Sequence, residues 1–125
     1  MEYPNDLKYT KSHEWLKMED GEAVVGISDY AQDSLGDLVF INLPEVGDEV
    51  TAGEPFGDLE SVKAVSDLMS PVSGVVSAVN SDLLDTPEAL NSDPYGAWII
   101  RVEQVTDTEE LLDAEAYEQL CAEEA

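Results

Sequence analysis

The sequence predicts a mostly-β fold, a sandwich or flattened barrel with peripheral helices. Three observations carry that expectation. Short apolar runs of strand length recur along most of the chain, separated by Gly, Pro, Asn and Asp. Two pairs of runs have connections short enough for hairpins, one across Glu19-Asp20-Gly21 and one across the stretch around Lys63. Only the end of the chain turns rich in Ala, Glu and Leu, the composition of a helix. With 125 residues and 43% hydrophobic side chains, the chain fits a single domain, 1–125. Its core is expected over about 7–102 and a helical segment over about 107–123.

Each element has a local reason. Residues 7–11 read as an opening strand. Residues 14–18 and 22–27 flank Asp20-Gly21, a strong hairpin signal. Asp29-Tyr30-Ala31-Gln32 has a capping pattern and Gly36 can close the far end, so about two helical turns fit between. Residues 38–43 are nearly all apolar, which predicts a buried strand ended by Pro44. Residues 45–50 follow, with a turn near Ala52-Gly53. Two extended segments, 55–59 and 65–69, then bracket Lys63. Ser70-Pro71 breaks the second, and 72–79 resumes as a strand in which Gly74 permits a bend or a close backbone approach. Residues 86–90 suggest a helical turn with an early Pro. A dense turn cluster at 91–96 precedes a buried strand at 97–102. Asp107-Thr108-Glu109-Glu110 reads as a capping box for a helix whose packing stripe would be Leu112, Ala116 and Leu120.

Charge excludes several functions. The chain has 29 Asp and Glu against five Lys and Arg, a net charge of −24. Such a surface repels nucleic acid and anionic membranes. No apolar run approaches transmembrane length, and the first residues resemble neither a signal nor a transit peptide, so the cytoplasm is the expected compartment. Apolar residues spread among the acids argue against disorder. An acidic coat over an ordinary core suggests a halophilic setting, because molar salt shrinks the Debye length to about 3 Å and screens self-repulsion.

Catalytic constellations are not evident. His13 and Cys121 are each alone of their kind and lie at opposite ends of the chain, which excludes an intramolecular disulfide and a Cys/His metal cluster. His13 is expected to be a structural, hydrogen-bonding histidine and Cys121 a small apolar filler. Phosphate-binding glycine loops are absent. Lys63 stands out: beyond Lys17 the chain keeps only Lys63 and Arg101 as cations. A hairpin would hold Lys63 at its tip in water, either as a plain solvated lysine or as a functional one.

Several ordered motifs resemble the glycine cleavage system H-protein family. They are Ser12-His13-Glu14-Trp15, Val25-Gly26-Ile27-Ser28-Asp29-Tyr30-Ala31-Gln32, Leu35-Gly36-Asp37-Leu38-Val39-Phe40 and Leu43-Pro44-Glu45-Val46-Gly47. The likeness continues through Glu60-Ser61-Val62-Lys63-Ala64-Val65-Ser66-Asp67, Ser70-Pro71-Val72-Ser73-Gly74 and Asn91-Ser92-Asp93-Pro94-Tyr95-Gly96, then Trp98-Ile99. It spans about residues 7–102. Ala97 and the unusually acidic coat depart from the family pattern, away from the hairpin.

The resemblance implies a barrel-sandwich hybrid of the lipoyl and biotinyl type, with a short internal helix and a helical C-terminal segment. It implies lipoic acid in amide linkage on Lys63, with Val62 and Ala64 beside it favouring lipoyl over biotin. It implies a non-catalytic shuttle that carries an aminomethyl group from the glycine-decarboxylating P protein to the tetrahydrofolate-dependent T protein. Dihydrolipoyl dehydrogenase, the L protein, would reoxidise it. Ser12, Glu14 and Asp67 match positions of the cleft that receives the loaded arm. Glu60 and Ser61 match the stretch recognised by the lipoyl-attaching enzyme. A monomer is expected of a shuttle. Two other readings stay open: a lipoyl or octanoyl relay feeding other lipoyl domains, and an unmodified acidic interaction module.

Overall fold

A computed structural model describes residues 1–124. Its strands in chain order are β1 (Lys8–Tyr9), β2 (Glu14–Glu19), β3 (Glu22–Ile27), β4 (Leu38–Asn42), β5 (Glu49–Val50), β6 (Pro55–Ser61), β7 (Val65–Met69), β8 (Val72–Val79) and β9 (Ile100–Thr108). Helices α1 (Asp29–Leu35), α2 (Ala89–Ser92) and α3 (Ala114–Glu124) and a short 3₁₀ turn (Ser81–Leu84) complete it. Six strands form one sheet in the order β1-β2-β3-β9-β8-β5, and β4-β6-β7 form a second. All the pairings are antiparallel. Two sheets around one core is the arrangement expected of a barrel-sandwich hybrid.

Both sheets supply that core. Leu16, Val25 and Ile27 from β2 and β3 meet Leu59 and Leu68 from the small sheet and Val76, Ile100 and Val102 from β8 and β9. Each such side chain, fully buried, contributes roughly 1.5–3 kcal/mol. The other face of the large sheet holds a second cluster, in which Tyr9, Trp15 and Val24 pack with Ala114, Tyr117 and Cys121 of α3. Covering both faces explains why β3 is apolar over successive residues, with Ala23 facing one cluster and Val24 the other. Glycine is required at position 26 by close approach. It lies across the ladder from Trp15, and a Cβ there would sit 2.5 Å from the indole ring.

Five local expectations need correction. The opening strand shortens to Lys8–Tyr9 because the chain must turn through residues 10–13. The cap of α1 is Ser28, whose hydroxyl accepts the Ala31 N–H, and Asp29 lies within the helix; Gly36 ends it at φ 81° as expected. In β4, Val39 and Phe40 are 53% and 48% exposed, because a register shift against β6 turns them outward. The buried strand expected over 97–102 begins instead at Ile100 and runs on to Thr108, since Thr108 and Asp107 pair with Val72 and Ser73. No helix is capped at 107–110. α3 starts at Ala114, Asp113 accepts the Ala116 N–H, and the buried stripe is Ala114, Tyr117 and Cys121 while Ala116 is exposed. Leu112 and Leu120 are partly buried against the same cluster, so of the expected stripe only Ala116 falls outside the packed face. Segments on either side of Lys63 meet in the large sheet: Glu49 and Val50 of β5 pair with Val75 and Gly74 of β8.

Candidate functional site: a lysine at a hairpin tip and a buried carboxyl

β6 and β7 pair down to Glu60 and Val65, leaving Ser61 to Ala64 to make the turn. The Ser61 backbone N–H donates to the Ala64 carbonyl at 2.8 Å. The Ser61 hydroxyl accepts the Ala64 and Lys63 N–H groups at 3.0 and 3.3 Å. Serine therefore supplies the polar partners a tight tip needs. Lys63 is exposed, and no carboxylate among the described residues lies within ion-pair distance of it, whereas Lys11, Lys17 and Arg101 are paired. Val62 and Val65 beside it are 72% and 68% exposed.

The tip rests on the end of α1. The Val62 N–H donates to the Asp37 carbonyl at 3.1 Å. A Cβ built on Gly36 would lie 3.4 Å from Lys63 Cε, so the aliphatic stem of the lysine crosses that glycine. Asn91 secures the support. Its amide nitrogen donates to the Gly36 carbonyl at 2.9 Å and to Gln32 Oε1 at 3.1 Å, and its Oδ1 accepts the Leu38 N–H at 3.0 Å.

At the other end of β7 lies Glu14, 2% exposed. Its Oε1 accepts the hydroxyls of Ser12 and Thr10 at 2.5 and 2.8 Å, and its Oε2 accepts the Met69 N–H at 3.2 Å. Burial raises its carboxyl from the ordinary carboxylate range to about 7, against those hydrogen bonds, which favour the charged form. Met69 is six residues beyond Lys63, roughly 20 Å along an extended chain.

The structure brings Ser12 and Glu14 into direct contact. Asp67 stands apart from them, exposed on β7 two residues before Met69 and directly across the ladder from Asp58. Glu60 lies between Phe40 and Val65 in the small sheet. A surface depression of about 370 Å³ beside Ser12 is lined by Thr10, Lys11, Ser12, Glu109 and Glu110, and its lining includes neither Asp67 nor Lys63. A site working on a positively charged group could use the Glu14 carboxyl and the Ser12 hydroxyl as acceptors.

Sequence reasoning passed over Thr10, Asn91 and Tyr117. Thr10 sits four residues before Glu14, a separation with no meaning in a strand until the chain folds back through residues 10–13. Asn91 belongs to a turn cluster and to a family-like motif, and neither announces its contacts with Gln32, Gly36 and Leu38. Tyr117 lies in an acidic helix, and its hydroxyl joins Ser28 and His13 Nδ1 at 2.6 and 2.7 Å. His13 is structural, as expected, with Nε2 3.0 Å from Glu124.

Comparisons with known proteins agree with this geometry. The glycine cleavage H-protein family matches residues 7–124. The glycine cleavage system H protein of Lachnoclostridium phytofermentans is 52% identical over 125 residues, covering 99% of this chain and 98% of the relative. That of Rubrobacter xylanophilus is 55% identical over 124 residues, covering 98% of each. The crystal structure of a glycine cleavage system H protein from Mycobacterium marinum superposes with a TM-score of 0.89 at 46% identity, covering 94% of this chain and 97% of that one.

Proposed function

This chain belongs to the glycine cleavage H-protein family, and we propose that Lys63 is the residue on which it carries its lipoyl group. The chain is the lipoyl-bearing shuttle of the glycine cleavage system, a carrier subunit with its lipoyl group on a lysine. One observation carries the assignment to Lys63: it is an exposed lysine on a hydrogen-bonded hairpin tip, without an ion-pair partner among the described residues. The residues fit the group. The amine is open to amide formation, and the small or apolar neighbours Val62, Ala64 and Val65 leave room around it.

Held on Lys63, the lipoyl group would supply the disulfide chemistry for carrying the aminomethyl unit of glycine among the P, T and L proteins. The chain's own residues do no bond-breaking. Ser61, Asp37 and Asn91 hold the hairpin and its support rigid. Ser12, Glu14 and Asp67 offer acceptors to a cationic amine, and the desolvated Glu14 carboxyl ionises more readily when a cation faces it. Glu60 and Ser61 mark the hairpin for the lipoyl-attaching enzyme. The protein works as a monomeric, non-catalytic carrier in the cytoplasm. Its net charge of −24 suits docking on basic surfaces of its partners and a salt-rich interior. No helix among the described residues is long and apolar enough to cross a membrane.

Glycine–bicarbonate exchange with the P protein tests the role. Lipoylated protein should support exchange, and Lys63→Arg prepared in the same cells should not. Failure of the lipoylated protein would favour the relay reading.

A further inference from the structure

We infer that the Tyr117 hydroxyl is a positioning group: it fixes the turn that presents Ser12 and Glu14 to the helix that ends beneath Lys63. The inference rests on the reading of Ser12 and Glu14 as acceptors for the loaded amine.

Three features of Tyr117 support it. First, the ring does not need the hydroxyl for its packing. It is fully buried and stacks on Tyr9 with centroids 4.5 Å apart and planes 6° apart, which a phenyl ring could match. Second, the two partners of the hydroxyl are key points of the site. Ser28 Oγ, at 2.6 Å, is the cap of α1, and the far end of α1 is Gly36, crossed by the Lys63 stem. His13 Nδ1, at 2.7 Å, belongs to the residue between Ser12 and Glu14. Third, His13 has φ 76°, a left-handed conformation that costs a non-glycine residue energy unless its surroundings hold it.

One assignment of the hydrogens uses each donor once: Ala31 N–H to Ser28 Oγ, Ser28 O–H to the Tyr117 oxygen, Tyr117 O–H to His13 Nδ1, and His13 Nε2–H to Glu124 at 3.0 Å. Backbone bonds close the loop: His13 N–H donates to the Thr10 carbonyl, and the His13 carbonyl accepts the Ser28 N–H at 3.0 Å. α3 thus joins the cap of α1 to the turn between Ser12 and Glu14 through one oxygen.

Tyr117→Phe keeps the stack and removes the node. Amide hydrogen exchange on the unlipoylated protein reads the consequence. Ser28, Ala31, Glu14 and Met69 should exchange roughly three- to tenfold faster, the size of one neutral hydrogen bond, while Leu59 in β6 is unchanged. His13→Asn, which tolerates the left-handed backbone, should move the same amides. On the lipoylated, aminomethyl-loaded protein, where attack of water on the loaded group would free the thiol, formaldehyde and ammonia, Tyr117→Phe should speed release of formaldehyde by a similar factor. Uniformly faster exchange, with no local excess, would make Tyr117 merely structural and overturn the inference, as would unchanged exchange at those four amides. Unchanged release in Tyr117→Phe alongside faster release in Glu14→Gln would overturn the inference alone. Unchanged release in Glu14→Gln as well would remove the acceptor reading, and this role with it.

Discussion

The Glu14 carboxylate accepts the Met69 backbone N–H at 3.2 Å, fastening the start of β2 in the large sheet to the end of β7 in the small one. One buried carboxyl thereby links the two sheets at the end of β7 opposite the Lys63 tip. Its energetics are divided: desolvation penalises the charge, and three side-chain or backbone donors stabilise it.

Stability should therefore depend on pH through Glu14. Its folded value, about 7, lies above the ordinary 4.5, so the folded state binds more protons across that window and loses stability as pH rises through it. The cost is absent below about 4.5 and complete above about 7, at roughly 3 kcal/mol. Glu14→Gln, whose amide oxygen can accept the Met69 N–H while its NH2 donates to the Ser12 and Thr10 hydroxyls, removes the dependence. Urea titrations at pH 5 and pH 8 should show the variant gaining on the wild type by up to that amount at the higher pH. An equal difference at both would mean that Glu14 does not titrate in this range.

Gly26→Ala should destabilise. The added methyl would meet the Trp15 ring at 2.5 Å, and the ring is held by its own N–H to the Pro94 carbonyl at 2.9 Å. Overpacking of this kind costs about 1–3 kcal/mol, read as a lower urea midpoint. Because Trp15 follows Glu14, the titration of Glu14 should shift in the same variant.

Gly36→Ala tests the floor under the lysine. The methyl would stand 3.4 Å from Lys63 Cε, an ordinary contact, so the strain lies in the backbone at φ 81° and ψ −159°. That region is essentially reserved for glycine and costs another residue about 1–3 kcal/mol. Chemical denaturation should show a loss of that size; a neutral substitution would mean that the end of α1 relaxes freely.

The legible parts of the fold were those with local causes. Asp20-Gly21 forces a hairpin, Gly36 ends a helix, and the only lysine beyond Lys17 in an acidic chain marks a tip. What stayed hidden depended on partners distant in sequence. The stretch 103–108 becomes strand because β8 pairs with it, and its acids and amides carry no alternating apolar pattern to announce this. Val39 and Phe40 look like core until a register shift against β6 exposes them. Ser12 and Glu14 come together within one turn, whereas Asp67 stays apart from them, exposed on β7 across from Asp58. Tyr117 could not be placed at all, since its meaning lies in Ser28 and His13, 89 and 104 residues away.

The acidic coat predicts a salt response. At 0.1 M the Debye length is about 10 Å, and at 1 M about 3 Å, so repulsion within a chain of net charge −24 falls steeply between them. The thermal midpoint should rise in molar KCl. Equal midpoints in dilute buffer and in molar KCl would contradict the halophilic reading.

The central claim is that Lys63 bears the lipoyl group, and the intact mass of the protein purified from lipoylating cells tests it most directly. The account predicts a lipoyl-sized increment on the wild type that disappears in Lys63→Arg. An unmodified wild-type mass from such cells, or an increment that survives in Lys63→Arg, would contradict it.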